Sequence, residues 1–365
     1  MNLRISKIIA LLNNQSLDAA IITSVSNITY LTDYSNFSND EREAYLFITK
    51  SHQYILTDGR YTTEVKKHIK DFELIEISST NLFKDALMGL LKKHSVESLG
   101  IEEEDITVSE LKRIQSVKSN VKNFPTHTLR LIKEASEINL MKKACQIGDK
   151  AFKYILTQIK PGITEKQIAS KLANFIRENS AEISFSTIVA FGENAAVPHH
   201  QTGDERLSTN DLILLDFGVK YNDYCSDMTR TFFLGQPNAE QKKIYDAVLN
   251  SQMKSIEYIN SHLSSVNNKT YIQAADVDYA ARNYISSLGY PSIPHSLGHG
   301  IGIEVHESPT LSPISKHILT EGMVFSIEPG IYLPGKFGIR IEDLFVIEKA
   351  GLRQLTNSSK ELIQL

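Results

Sequence analysis

The chain has 365 residues and a formal net charge of -4, from 39 Lys and Arg against 43 Asp and Glu. That length exceeds one ordinary core and predicts two domains, while interspersed charges of both signs exclude a polyanion-binding surface and with it a nucleic-acid partner. The two cysteines, Cys145 and Cys225, are too few for a disulfide framework or a cysteine-based metal site and imply a reducing compartment; no apolar run approaches the ~20 residues that span a bilayer, so a cytoplasmic protein without membrane contact is expected.

At the N-terminus Ile5, Ile8, Ile9 and Leu12 recur at helical spacing and run into "NNQS" without a small-residue cleavage site. This reads as an amphipathic helix rather than an export signal. The β-rich runs "AAIITS", "YLFIT", "QYILT" and "ELIEI" then alternate with helical patterns such as Phe83, Leu87, Leu90 and Leu91, which predicts an α/β domain over 1–128. The basic run "LKRIQSVKSNVK" at 111–122 fits a solvated helix face. Pro125 interrupts the pattern and a long helix starts near Glu137, placing the boundary at 125–133 and a second domain over 133–365. There, helices are expected near 137–158 and 164–178. Thr164 and Gln167 form a capping box for the latter, and Ile168, Leu172, Phe175 and Ile176 lie on one of its faces. The strand run "FSTIVAF" and a strand pair follow, then helices near 239–262 and 269–287 and a second strand pair. The order repeats without the sequence repeating. The expected class is α+β: a pseudo-duplicated domain in which helices cover the outer face of a curved, mainly antiparallel sheet whose concave face is left for a site.

The first strand pair is "LILLDFGVKYNDYCSDMTRTFF". With Tyr221 and Asn222 as the central turn residues, Asp216 and Asp227 become direct cross-strand neighbours, ~5 Å apart at Cβ. In the second pair, "MVFSIEPGIYLPGKFGIRIEDLF", centring the turn on Gly335 sets Glu328 opposite Glu342. One buried Asp is ordinarily a hydrogen-bonded structural residue, but facing pairs of like charge on apolar strands call for a cation. The stretch "HSLGHGIGIEVHE" adds His295, His299 and His306 among glycines. By itself it reads as a Gly-rich loop entering a strand; beside four carboxylates, one imidazole completes an oxygen-rich donor set. Such a set suits two divalent ions, manganese foremost and cobalt or zinc as alternatives. Ions ~3.5–4 Å apart activate a water and polarise a carbonyl, so metal-assisted hydrolysis is expected.

At these residues the chain resembles the pita-bread metallopeptidases, the group of aminopeptidase P, prolidase, methionine aminopeptidase and creatinase. "YLTDY" and "DGRY" are similar to the creatinase-like N-terminal domain, and "LLDFG", "YCSDMTRT", "HSLGHGIGIEVHE", "SIEPGIY" and "RIEDLF" follow the order of the catalytic domain. The resemblance implies five metal ligands, Asp216, Asp227, His299, Glu328 and Glu342, with Asp227 and Glu342 bridging both ions. It implies a substrate contact for His199, stabilisation of the tetrahedral intermediate by His306, proton transfer by Glu328, and a place for Arg340 at the proline end of the substrate. It gives His295 an accessory position and no catalytic role to His200 or Cys225; Tyr332 reads as site wall. The implied activity is hydrolysis of the Xaa-Pro bond in small proline-containing peptides by a homodimer, with the segment around "YLTDYSNF" helping to wall the site. Prolidase action on dipeptides is expected, with aminopeptidase P action on longer peptides as the alternative. Methionine aminopeptidase generally lacks the N-terminal domain, creatinase has lost the metal set, and intact donors count against a non-catalytic binding protein on the same fold.

Overall fold

Period-3.6 apolar spacing forms the first helix, Leu3–Asn14 (α1), with Ile5, Ile8 and Leu12 buried. The computed structural model describes residues 3–263 and 271–365. Its chain separates into two units, Met1–Arg130 and Leu131–Leu365. In the first, Ala19–Ile22 (β1), Ala44–Thr49 (β2), Gln53–Asp58 (β3), Glu73–Ile77 (β4), Leu99–Ile101 (β5) and Val121–Asn123 (β6) make one mixed sheet in the order β4-β3-β2-β1-β5-β6. Helices Val25–Thr32 (α2), Thr62–His68 (α3), Phe83–Lys93 (α4) and Val108–Gln115 (α5) connect them.

One helix lies where the sequence reading made no assignment, and one segment departs from that reading. Val25–Thr32 is helical despite its β-branched residues, because the Ser24 side chain accepts from the Asn27 N–H at the start and Asp33 ends the helix in the left-handed region at φ 54°. The run 111–122 is not one helix face: α5 stops at Gln115, and β6 pairs in parallel with β5. The intervening "SVKSN" is poor in helix formers, and the edge strand β6 instead satisfies the backbone of its buried neighbour β5.

The second unit repeats one plan. Helices Ala135–Leu156 (α6) and Glu165–Glu178 (α7) precede the short strands Glu182–Ile183 (β7) and Ile188–Phe191 (β8), then Leu212–Phe217 (β9), Val219–Tyr221 (β10), Tyr224–Cys225 (β11) and Met228–Phe233 (β12). Ala239–Leu263 (α8), Ile272–Gln273 (β13) and Ala274–Ser287 (α9) precede Gly298–Gly300 (β14), Glu307–Leu311 (β15), Ile318–Leu319 (β16), Val324–Ile327 (β17), Gly330–Leu333 (β18), Phe337–Arg340 (β19), Asp343–Glu348 (β20) and Gly351–Gln354 (β21). Of the helix expected over 269–287, residues 269 and 270 lie outside the described residues, and Ile272–Gln273 is strand. The Thr164–Gln167 capping box opens α7, and its fully buried Ile168, Leu172 and Ile176 contribute together about 5 to 9 kcal/mol of burial. The sheets β12-β9-β8 and β15-β14-β17-β20-β21 are antiparallel throughout.

Strand alternation decides which side chains meet the helices. In β9, Ile213, Leu215 and Phe217 join the core of α6 and α7, so Leu212, Leu214 and Asp216 point to the other face. In β17 and β20, Phe325, Ile327, Phe345 and Ile347 pack with Val248 of α8 and Val277 of α9. The opposite parity, carrying Ser326 and leading on to Glu328 and Glu342, faces inward.

The hairpin registers correct one expectation. Tyr221 pairs with Tyr224, so the turn centre is Asn222–Asp223, at φ 45° and 70°, and Asp216 opposes Thr229 rather than Asp227. A two-residue turn matched to strand twist needs positive φ at both centres, which Asn and Asp tolerate. The shift is two residues, so it preserves the face of every side chain. In the second hairpin Gly335 is the turn glycine at φ 72°. The pairs Gly330 with Arg340 and Ile327 with Asp343 keep the expected register on both sides of Glu328 and Glu342.

The glycines of "HSLGHGIG" let β14 lie between its neighbours: a Cβ on Gly298 would stand 2.0 Å from the Ser326 carbonyl oxygen, and one on Gly300 2.1 Å from that of Ser308. Gly298→Ala is therefore expected to cost about 1–3 kcal/mol by overpacking against backbone, read as a lowered unfolding midpoint; an unchanged midpoint would mean that β14 can move aside without loss.

Candidate functional site

The inward parity gathers the carboxyls onto one irregular stretch of sheet. Asp227 sits between β11 and β12, and Glu328 and Glu342 sit where the β17–β20 ladder gives way to β18–β19. Their backbone N–H groups leave the local ladder: Glu328 donates to Leu297 O at 2.8 Å and Glu342 to Thr229 O at 3.1 Å. His299, in β14, donates from Nδ1 to the Gly300 carbonyl at 3.0 Å, which turns the Nε2 lone pair toward the acids. Nε2 lies 3.3 Å from Glu328 Oε1 and 3.7 Å from Asp227 Oδ2. One donor atom from each of Asp227, His299 and Glu342 falls within 4.8 Å of the others.

Three of the four acids have one oriented oxygen. Asp216 Oδ2 accepts from Arg340 Nη2 at 2.6 Å, Glu342 Oε2 from the Thr229 hydroxyl at 2.7 Å, and Glu328 Oε1 from the Ser326 hydroxyl at 3.1 Å. Three oxygens of the cluster are orphaned: Asp216 Oδ1, Asp227 Oδ1 and Glu342 Oε1 are buried with no hydrogen-bond partner among the described residues. Buried polar atoms are ordinarily satisfied. Burial, then the charges of Glu342 and Asp216, raise the Asp227 carboxyl well above its usual range. Burial followed by Glu328 and Asp216 does the same to Glu342, and burial pushes Glu328 up to about 7. Orphaned oxygens, carboxyls pushed toward protonation and an imidazole nitrogen aimed at them together fit divalent cations with a preference for oxygen donors.

Arg340, expected at the proline end of the substrate, is held by the protein's own groups. It is only 3% exposed. Besides Asp216, its guanidinium donates to the Thr229 hydroxyl at 3.0 Å, the Tyr332 hydroxyl at 2.9 Å and the Pro198 carbonyl at 3.3 Å. A guanidinium so engaged orients Asp216 and the wall around it. Tyr332 is part of that wall and more: its hydroxyl accepts from Arg340 and donates to His295 Nε2 at 2.9 Å, while His295 Nδ1 donates to the Ser296 carbonyl at 2.7 Å. Burial pushes His295 down to about 4, so it stays neutral and completes this chain as an acceptor.

His306 stands with its ring 4.4 Å from that of His299 and nearly perpendicular to it; burial, then His299 and His199, lower its pKa. His199 follows the short 3-10 turn Gly192–Ala196, is exposed, and exerts its charge on His295, His306 and Glu328. The sequence reading missed Thr229 and Ser326, whose hydroxyls hold Glu342 and Glu328. The signal was present in "DMT" and "SIE", where each hydroxyl is two residues from an acid and therefore on its face. Cys225 is a small buried strand residue whose thiol meets the Ile303 carbonyl at 3.4 Å.

Residues 139–349 match metallopeptidase family M24, and residues 4–133 match the creatinase/prolidase N-terminal domain. The Xaa-Pro dipeptidase of Pyrococcus horikoshii is 36% identical over 373 residues, covering 100% of this chain and 99% of its own. Among solved structures, the Xaa-Pro dipeptidase from Bacillus anthracis superposes with a TM-score of 0.90 at 33% identity, over 99% of each chain. The X-Pro aminopeptidase from Thermotoga maritima superposes with a TM-score of 0.84 at 32% identity, over 96% of this chain and 98% of its own. With a match over residues 139–349 that spans more than half of its length, preceded in sequence by a creatinase/prolidase N-terminal domain, the chain belongs to metallopeptidase family M24.

Proposed function

We propose that this metallopeptidase hydrolyses the Xaa-Pro bond of small peptides, releasing the residue ahead of proline, with two divalent ions, manganese foremost, held by Asp216, Asp227, His299, Glu328 and Glu342. Residues 1–128 act as the N-terminal domain and 133–365 as the catalytic domain. The observation that carries the reading is the set of orphaned buried oxygens on Asp216, Asp227 and Glu342 beside His299 Nε2. The named activities of the Pyrococcus, Bacillus and Thermotoga relatives support the choice of bond.

Bound divalent ions supply Lewis acidity toward a carbonyl oxygen and a water activated near neutral pH. The chain's own groups do the rest. Asp227 and Glu342, the most buried of the acids, would be shared by both ions; Asp216, oriented by Arg340, and His299, oriented by the Gly300 carbonyl, would complete the donor set. Glu328 takes the proton of the attacking water and returns it to the leaving proline nitrogen. His306 stabilises charge developing on the scissile carbonyl oxygen, and His199 contacts the substrate. An Xaa-Pro amide has no N–H, so this site needs an acceptor-free face for the ring rather than a partner for a donor.

Dipeptides remain the first reading, resting on the two dipeptidase relatives. One observation favours longer substrates as the second: Arg340, the cation expected to meet the free carboxylate of a C-terminal proline, is already engaged. A homodimer in the cytoplasm completes the proposal; both cysteines are free and buried, and light scattering should return twice the chain mass, a monomer of full activity removing the dimer.

Chelation is expected to abolish hydrolysis, and Mn2+ or Co2+ to restore it better than Mg2+; full activity in rigorously metal-free protein would refute the metal reading. Asp227→Asn should lower bound metal below two ions per chain by elemental analysis. His299→Ala should lose metal, whereas His306→Ala should keep it and lose turnover by roughly 10² to 10³, the scale for removing one stabilising donor; metal loss in both variants would show that the loop is misassigned. For substrate length, kcat/KM on Leu-Pro should exceed that on Leu-Pro-Ala by about tenfold or more, since one added residue moves the carboxylate by ~3.5 Å. Equal or faster cleavage of the tripeptide would make the enzyme an aminopeptidase P.

A further inference from the structure

His200, which the sequence left without a role, lies beside the proposed substrate contact and points away from it into a buried carboxylate. Glu165 is the first residue of α7, where the helix N-terminus favours negative charge, and its side chain is wholly buried. Its two oxygens accept four hydrogen bonds, two each. Oε1 accepts from the Phe191 N–H at 3.0 Å and the Asn194 side-chain amide at 2.9 Å. Oε2 accepts from the Gly203 N–H at 2.8 Å and from His200 Nε2 at 2.9 Å. The four donors belong to the two ends of one loop, 191–203, so a single carboxylate closes it.

His199 is carried inside that loop, between two fixed points. On one side the Pro198 carbonyl accepts from Arg340 Nη1 at 3.3 Å; on the other the His200 ring is held by Glu165. The loop also rests on β19, where Gly338 lets the Ala195 carbonyl in so closely that a Cβ would lie 2.0 Å from it. Thr202 ties the far end back, accepting from the Val189 N–H at 2.9 Å and donating to the Thr187 carbonyl at 2.8 Å. The His199 ring itself is exposed and makes no hydrogen bond among the described residues, so its placement comes from its neighbours.

We propose that Glu165 and His200 form a clamp that positions His199 against the substrate, making both of them positioning residues for the peptidase reaction. The proposal rests on the reading of His199 as a substrate contact. A charge-assisted pair with all of its oxygen sites filled holds the loop in one arrangement, and a displacement of about 1 Å at a substrate-positioning group costs up to ~10²-fold in rate.

The test is a set of variants of the full-length, manganese-loaded enzyme assayed on Leu-Pro. His200→Ala should lower kcat/KM about tenfold or more while bound manganese stays unchanged, and His200→Gln, whose amide N–H can replace Nε2–H, should recover most of the loss. In a His199→Ala background, His200→Ala should add less than about twofold, because residues acting through one another are not additive. Glu165→Gln should resemble His200→Ala, since its amide would present N–H to the Gly203 N–H; should it fail to fold, the His200 variants decide. Full activity in His200→Ala beside a crippled His199→Ala overturns the clamp alone. An equal His200→Ala loss in both backgrounds overturns it too, as a general structural effect. Full activity in His199→Ala overturns the substrate role and the clamp with it.

Discussion

Everything in the catalytic unit is arranged around the cost of burying four carboxyls on one face of an apolar sheet. Like charges ~4–5 Å apart repel by about 3–4 kcal/mol per pair at an effective dielectric of ~20, before any loss of hydration is counted. Arg340 brings one positive charge to Asp216, Thr229 and Ser326 bring hydroxyls to Glu342 and Glu328, and three oxygens are left without a partner among the described residues. Acids held this way are poised for a cation, and the rise of Asp227, Glu328 and Glu342 toward protonation is the electrostatic expression of the same need.

The acids stay in place because the opposite face of the same strands is locked. Each inward residue has an outward neighbour: Thr229 precedes Arg230 and Glu342 precedes Asp343. Arg230, 1% exposed, pairs with Asp343 at 2.6 Å and donates to the carbonyls of both Thr229 and Glu342. Asp343 also receives Lys360, Gln252 and Thr356. A buried ion pair adds little net stability, but with every oxygen filled it admits one register, and a register slip would carry the acids to the wrong face. Gly298 and Gly300 act to the same end by bringing β14, and so His299, against its neighbouring strands.

Much of this was legible in local sequence, and what was not has identifiable causes. The capping box at Thr164, the helices that open each half and the turn at Gly335 depend on residues a few positions apart, and they lie where the pattern put them. The first hairpin was displaced by two residues because "YNDY" admits more than one centre, and only the backbone shows that Asn222 and Asp223 both take positive φ. Helix α2 was hidden by β-branched residues whose propensity the Ser24 cap and burial override. The engagement of Arg340 was out of reach for a different reason: its partners Pro198, Asp216 and Thr229 are 142, 124 and 111 residues away in the chain. Glu165 and His200, 35 residues apart, are paired only once the loop has folded back.

A carboxyl cluster shaped by these constraints calls for a pair of cations. The most direct test is anomalous diffraction from crystals equilibrated with Mn2+. Two peaks ~3.5–4 Å apart are expected, both touching Asp227 and Glu342, one flanked by Asp216 and the other by His299 and Glu328. A single peak, or manganese bound away from Asp227 and Glu342, would contradict the cation pair.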